Sequence, residues 1–88
     1  MTNCCGEPLI IELSAPAGVF DITLSITANS DTTFTVYEKS FGLVKDGVSL
    51  VSGERTDIIF SVSTEKDIKI IIDADGDLTA TAMAQYAG

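Results

Sequence analysis

Histidine and tryptophan are absent from this 88-residue chain, five residues are basic, and the two cysteines stand side by side. Each shortage excludes something. Without histidine there is no Ser–His or Cys–His nucleophile pair, and the commonest metal ligand is missing. A bond between the neighbours Cys4 and Cys5 would close a strained ring, so no disulfide framework staples the chain. Two thiolates without an imidazole also make a poor metal site. The 5 basic residues stand against 13 acidic ones, for a net charge of −8. That charge repels phosphate backbones and anionic membranes, and no basic cluster offsets it, so neither nucleic acid nor membrane is expected as a partner. It keeps a small protein soluble, and it would also suit a basic protein partner. Phosphate-cradling glycine loops of the GxxxxGK[ST] and GxGxxG types are missing. No segment approaches the ~20 apolar residues of a membrane-spanning helix. The N-terminus has neither a basic region nor an apolar run before Pro8, so no signal peptide is expected. Cytoplasmic synthesis follows, with later incorporation into a particle such as a virion left open.

What remains is β-forming. Hydrophobic residues make up 45% of the chain and its mean hydropathy is +0.33, which argues against disorder. The length predicts one domain, residues 8–88, behind a flexible arm at 1–7. A chain of this size buries only about 60–65% of its unfolded surface, so its core is modest and a deep enclosed active site has no room.

The heaviest apolar stretch is 55–73, which reads as two strands joined at Thr64-Glu65-Lys66. Side chains alternate faces along a strand. Ile58, Phe60 and Val62 share one face, as do Ile68, Ile70 and Ile72. As a hairpin, with 62 opposite 68, 60 opposite 70 and 58 opposite 72, all six turn inward. Ile59 then faces Ile71 on the outer side, a candidate subunit or partner contact or an ordinary exposed apolar pair.

The same reasoning runs along the rest. A short strand is expected at 8–14 and a clean alternation at 19–28, where Phe20, Ile22, Leu24, Ile26 and Ala28 face in. A turn at Asn29-Ser30-Asp31 leads to 32–39, with Phe34 and Val36 inward. Pairing 26 with 34 and 24 with 36 sets Thr27 opposite Thr33 and Ser25 opposite Thr35, favourable pairs that predict a second hairpin. Lys45-Asp46-Gly47 between apolar runs predicts a third. The Asp-Ala-Asp-Gly-Asp segment predicts a fourth, with Gly76 left-handed in a bulged three-residue turn and Ile72 opposite Leu78. The alanines of the last strand, at 80, 82 and 84, suggest close packing over it, which makes Ala80 and Ala82 further interface candidates.

Seven to eight short strands with frequent turns and no convincing helix predict an all-β, small antiparallel β-sandwich, immunoglobulin-like or jelly-roll-like. The step through Ser52-Gly53-Glu54 into an alternating strand is similar to immunoglobulin-type sandwich sequences, although the Cys…Trp…Cys hallmark is absent.

Few residues suggest a site. Asp73, Asp75 and Asp77 could converge on calcium, but the spacing departs from the EF-hand loop, since Leu78 stands at its glycine position and Ala84 at its final glutamate. Asp and Gly also suit the turn without an ion. A threonine-rich face with Thr33, Thr35 and Tyr37, joined by Thr23 and Thr27, could meet a ligand such as a sugar, or be ordinary solvated strand surface. No carboxylate pair suited to acid–base work can be nominated. The expected function is a non-enzymatic structural or interaction module, without cofactor. It would assemble with itself as a homo-oligomer or with a larger particle such as a virion, in the manner of a capsid decoration or cement protein. The alternatives are a carbohydrate- or peptide-binding module and a small acidic inhibitor of a basic protein.

Overall fold

A computed structural model describes residues 7–88. Cys4, Cys5 and all but the last residue of the expected N-terminal arm lie outside them. The described chain is all-β, with seven strands: β1 (Leu9–Leu13), β2 (Gly18–Ala28), β3 (Thr32–Glu38), β4 (Gly42–Leu50), β5 (Arg55–Thr64), β6 (Ile68–Ala74) and β7 (Leu78–Tyr86). They form two antiparallel sheets, a four-stranded one in the order β1-β6-β3-β4 and a three-stranded one in the order β5-β2-β7. The expected small antiparallel β-sandwich is thus what forms.

Alternation explains the core. The inward set of β2, with Ile22, Leu24 and Ile26 fully buried, meets that of β3 and β6, with Phe34, Val36, Ile68, Ile70 and Ile72. Burying such a side chain contributes about 1.5–3 kcal/mol, and this interdigitated layer holds the sheets together.

The pairing differs from the sequence expectation. β5 and β6 are not a hairpin: β5 pairs with β2, and β6 lies between β1 and β3. The same holds for β2 with β3 and for β6 with β7, which sit in opposite sheets. Five of the six connections arch from one sheet to the other, leaving β3–β4 as the one hairpin. Inward residues were nonetheless correctly placed, because two strands that stack across a sandwich point the same side chains at each other as two hairpin strands turn to one core.

Contacts between loops favour arches. The backbone N–H groups of Asn29 and Ser30 donate to the Asp77 carbonyl at 2.9 and 3.3 Å. Gly76 N donates to Thr32 Oγ1 at 3.0 Å and Asp77 N to Ser30 Oγ at 2.9 Å. The β2–β3 and β6–β7 connections therefore satisfy their polar groups on each other rather than within tight turns. Gly76 is not the left-handed bulge residue expected of it; the described glycines with positive φ are Gly18, Gly42, Gly47, Gly53 and Gly88. Its role is space, since a Cβ there would lie 2.5 Å from the Asp31 carbonyl oxygen.

Lys45-Asp46-Gly47 is not a turn either. β4 runs straight through it, with register shifts against β3 on both sides of Val36. Gly47, at φ 63°, takes the left-handed position that such a bulge favours. Thr35 Oγ1 donates to Asp46 Oδ1 at 3.2 Å, tying the bulge to β3. The actual β3–β4 turn is Lys39-Ser40-Phe41, closed by the Glu38 carboxylate.

At the β5–β6 arch Asp67 holds φ at 59°, the one described non-glycine residue with positive φ. Its backbone N–H donates to the Ala15 carbonyl at 2.7 Å. Its Oδ1 accepts from Ala15 N at 3.0 Å. Asparagine tolerates this backbone and keeps the acceptor, so Asp67→Asn should stay within about 1 kcal/mol of wild type in urea unfolding, whereas Asp67→Val should lose roughly 2 kcal/mol.

Candidate functional site

The sequence-derived site residues scatter. Ile59 is 74% exposed on the outer face of the three-stranded sheet, where its neighbour across the ladder is Thr23. Ile71 is half-buried on the outer face of the other sheet. The two stand on opposite sides of the sandwich, so the expected pair does not exist; β5 and β6 would have to be neighbours for it to form. Ala80 is buried and Ala82 half-buried, both packed into the core. What lies over these alanines is the opposite sheet, so they are not exposed interface residues.

The three aspartates do not gather. Asp73 is exposed on the outer face of β6, opposite Thr35. Asp75 turns to β3, its Oδ1 accepting from Thr33 N at 2.8 Å and from Thr32 Oγ1 at 3.3 Å. Asp77 has a buried Oδ1 with no hydrogen-bond partner among the described residues. No three acidic or thiol side chains among the described residues cluster as metal ligands. The threonine face divides as well. Thr23 and Thr27 belong to the three-stranded sheet, whereas Thr33, Thr35 and Tyr37 belong to the four-stranded one. Thr33 and Thr35 engage their neighbours, Ser49 Oγ at 3.0 Å and Asp46 Oδ1 at 3.2 Å.

Two shallow clefts lie at the ends of the sandwich. One, of about 330 Å³, is bordered by Asp31, Glu54 and Asp75. All three carboxylates accept turn hydrogen bonds, from Ser52 N, Val51 N and Thr33 N respectively. The other, about 510 Å³, has Lys39, Glu65 and Lys66 at its rim. No helix among the described residues is long and apolar enough to cross a membrane.

What the fold does bring together is a row of apolar side chains. Ile10 of β1 is register partner to Ile71 of β6. Ile71 partners Tyr37 of β3, and Tyr37 partners Leu43 of β4. Adjacent strands lie ~4.8 Å apart, so the row crosses the whole sheet in roughly 15 Å. Ile10, Tyr37 and Leu43 are 39, 42 and 52% exposed. A shorter row, Ile59–Thr23–Met83, crosses the three-stranded sheet, with a hydroxyl side chain at its centre.

Sequence reasoning found Ile71 and Tyr37 separately but missed Ile10, Leu43 and the row itself. A signal was there. Leu9-Ile10-Ile11 and Ile70-Ile71-Ile72 are apolar triplets, and a strand that buries the outer two of three must expose the middle one. That the two middles touch follows only from the β1–β6 pairing. Comparison of the chain with protein-family models, with curated proteins and with solved structures found no match in any of the three.

Proposed function

We propose that this chain is a non-enzymatic structural or interaction module that works by assembly, with itself or as part of a larger particle such as a virion. The supporting observation is the unbroken row Ile10–Ile71–Tyr37–Leu43 across an otherwise polar sheet face. Single exposed apolar side chains are ordinary, whereas a contiguous set with a polar border is the form that protein contact surfaces take. An aromatic flanked by aliphatics at the centre of a flat face is also the composition favoured at such contacts. The carboxylates of the first cleft serve the turns.

Light scattering and sedimentation velocity on the wild type, on Tyr37→Asp and on Ile59→Asp test this. A wild-type oligomer that becomes a folded monomer in either variant is the expected result. A wild type that remains monomeric at every concentration, with both variants melting as it does, would remove self-assembly as its mode of action.

A further inference from the structure

Resting on that reading, we infer that the outer face of the four-stranded sheet is an isologous interface for a second copy of this chain, stacked about a twofold axis that runs along the Ile10–Ile71–Tyr37–Leu43 row.

Charge selects both the occupant and the axis. The chain carries −8 overall, so two copies repel unless they meet where that charge is absent. This sheet and its turn hold Lys39, Lys45 and Lys69 against Glu12, Glu38, Asp46 and Asp73, and Glu38 is buried, so they come close to balance. Three of the five basic residues are therefore placed here, and the excess of acid lies elsewhere.

On β6, Lys69 and Asp73 flank Ile71 at two residues on either side, so all three project from one face. Lys69 and Asp73 are about 13 Å apart along the strand, too far to pair within one copy. The sole ion pair among the described residues is Arg55–Asp57. A twofold axis along the row lays each row residue on its own counterpart and reverses the strand direction. Lys69 of each copy then falls on Asp73 of the other, and two ion pairs bracket an apolar seam. A twofold axis along the strands would instead lay β6 over β3 and set Lys69 against Lys39, its neighbour across that ladder. Like charges in that position disfavour the second arrangement. Two sheets stacked face to face normally keep their strands within ~30° of aligned, as this axis requires.

Size sets the strength. The molecule measures 37 × 20 × 20 Å. A whole sheet face therefore offers roughly 700 Å², slightly less than the ~800 Å² per partner of a standard stable complex. The dimer should be concentration-dependent, not permanent.

Sedimentation equilibrium at low ionic strength, where surface charge is least screened, tests the axis. Lys69→Asp and Asp73→Lys should each raise the dimer dissociation constant by at least about tenfold. The double swap Lys69→Asp/Asp73→Lys should return it to within about threefold of wild type. Because the two positions cannot meet in one copy, that recovery can arise only between copies. Mixing the single variants should form a heterodimer, since one then presents two acids and the other two lysines. Circular dichroism of every variant confirms folding. If the wild type associates but neither reversal changes its constant, while Ile59→Asp abolishes association, this interface is wrong and the assembly reading survives through the other sheet. If the wild type is monomeric up to roughly 1 mM, a concentration at which even a millimolar Kd would show, this interface and self-assembly through either sheet both fail, and only assembly with a different partner is left of the proposed function.

Discussion

Replacing Gly76 by alanine should cost about 3 kcal/mol and lower Tm by roughly 12–24 °C for a domain of this size. The new Cβ would lie 2.5 Å from the Asp31 carbonyl oxygen, 2.9 Å from Thr32 Cβ and 3.0 Å from Ser30 Oγ. The first obstacle is backbone, which cannot rotate aside as a long side chain can. The β6–β7 loop must therefore lift off the β2–β3 loop. Lifting strains the bonds from Gly76 N to Thr32 Oγ1, from Asp77 N to Ser30 Oγ and from Asn29 N to the Asp77 carbonyl. Each contributes about 1 kcal/mol net, and small domains hold only ~5–15 kcal/mol in total. Gly53 is the control: it sits at φ 89° with open space around its Cβ position. Gly53→Asn should cost less than about 1 kcal/mol, because asparagine accepts left-handed backbone. Urea unfolding of both variants decides. A Gly76→Ala protein within 1 kcal/mol of wild type would mean that the loops separate freely and do not fix the arches.

Removing the Glu38 carboxylate should have a comparable effect. Glu38 is only 2% exposed. Its Oε1 accepts from Ser40 N at 2.6 Å and Phe41 N at 2.9 Å, and its Oε2 accepts from Lys69 N at 3.1 Å. One side chain thus closes the single hairpin turn and ties it to β6. Glu38→Ala leaves three backbone donors without this acceptor, and each unsatisfied donor costs about 1–3 kcal/mol when water does not replace the bond. A loss of roughly 3–4 kcal/mol is expected after partial hydration of the turn. Glu38→Gln separates charge from geometry. A carboxylate only accepts, whereas a carboxamide must present an NH₂ on one side. Glutamine can still serve Ser40 and Phe41 but then points donors at Lys69 N, so about 2 kcal/mol should be lost. Thermal melting and chemical unfolding check both values, and equal stability of all three proteins would show that the turn closes without the carboxylate.

Glu38 also marks a limit of pattern reading. An alternating strand that runs Thr32, Phe34, Val36 and then an acid suggests that its inward face has ended. The structure buries the acid because the chain reverses there, and exposed backbone donors need an acceptor more than the site needs an apolar group. Asp-Gly at 46–47 misled in the opposite way. Its preference for left-handed backbone is real, and Gly47 uses it, but in a bulge within β4 instead of a turn between strands. Both features are local rules obeyed in a setting that only neighbouring strands define.

The sequence alone determined which residues point inward. Period-two alternation in β2, β3, β5 and β6 assigns Ile22, Leu24, Phe34, Ile58, Ile70 and Ile72 to the core, and all are buried. It also bounded the strand number at seven to eight, of which seven form, and determined the sandwich class, because short amphipathic strands of this kind must cover one another. Strand partners were beyond its reach. Inward residues stay inward whether a connection folds back within a sheet or arches across to the other, so alternation carries no information on pairing. That choice was made in three dimensions, where Ser30, Thr32 and Asp75 bond across loops and Gly76 lets the backbones touch. The candidate contact surface depends on the same choice. Ile10, Tyr37, Ile71 and Leu43 come from four separate stretches of chain, and only the order β1-β6-β3-β4 makes them one row.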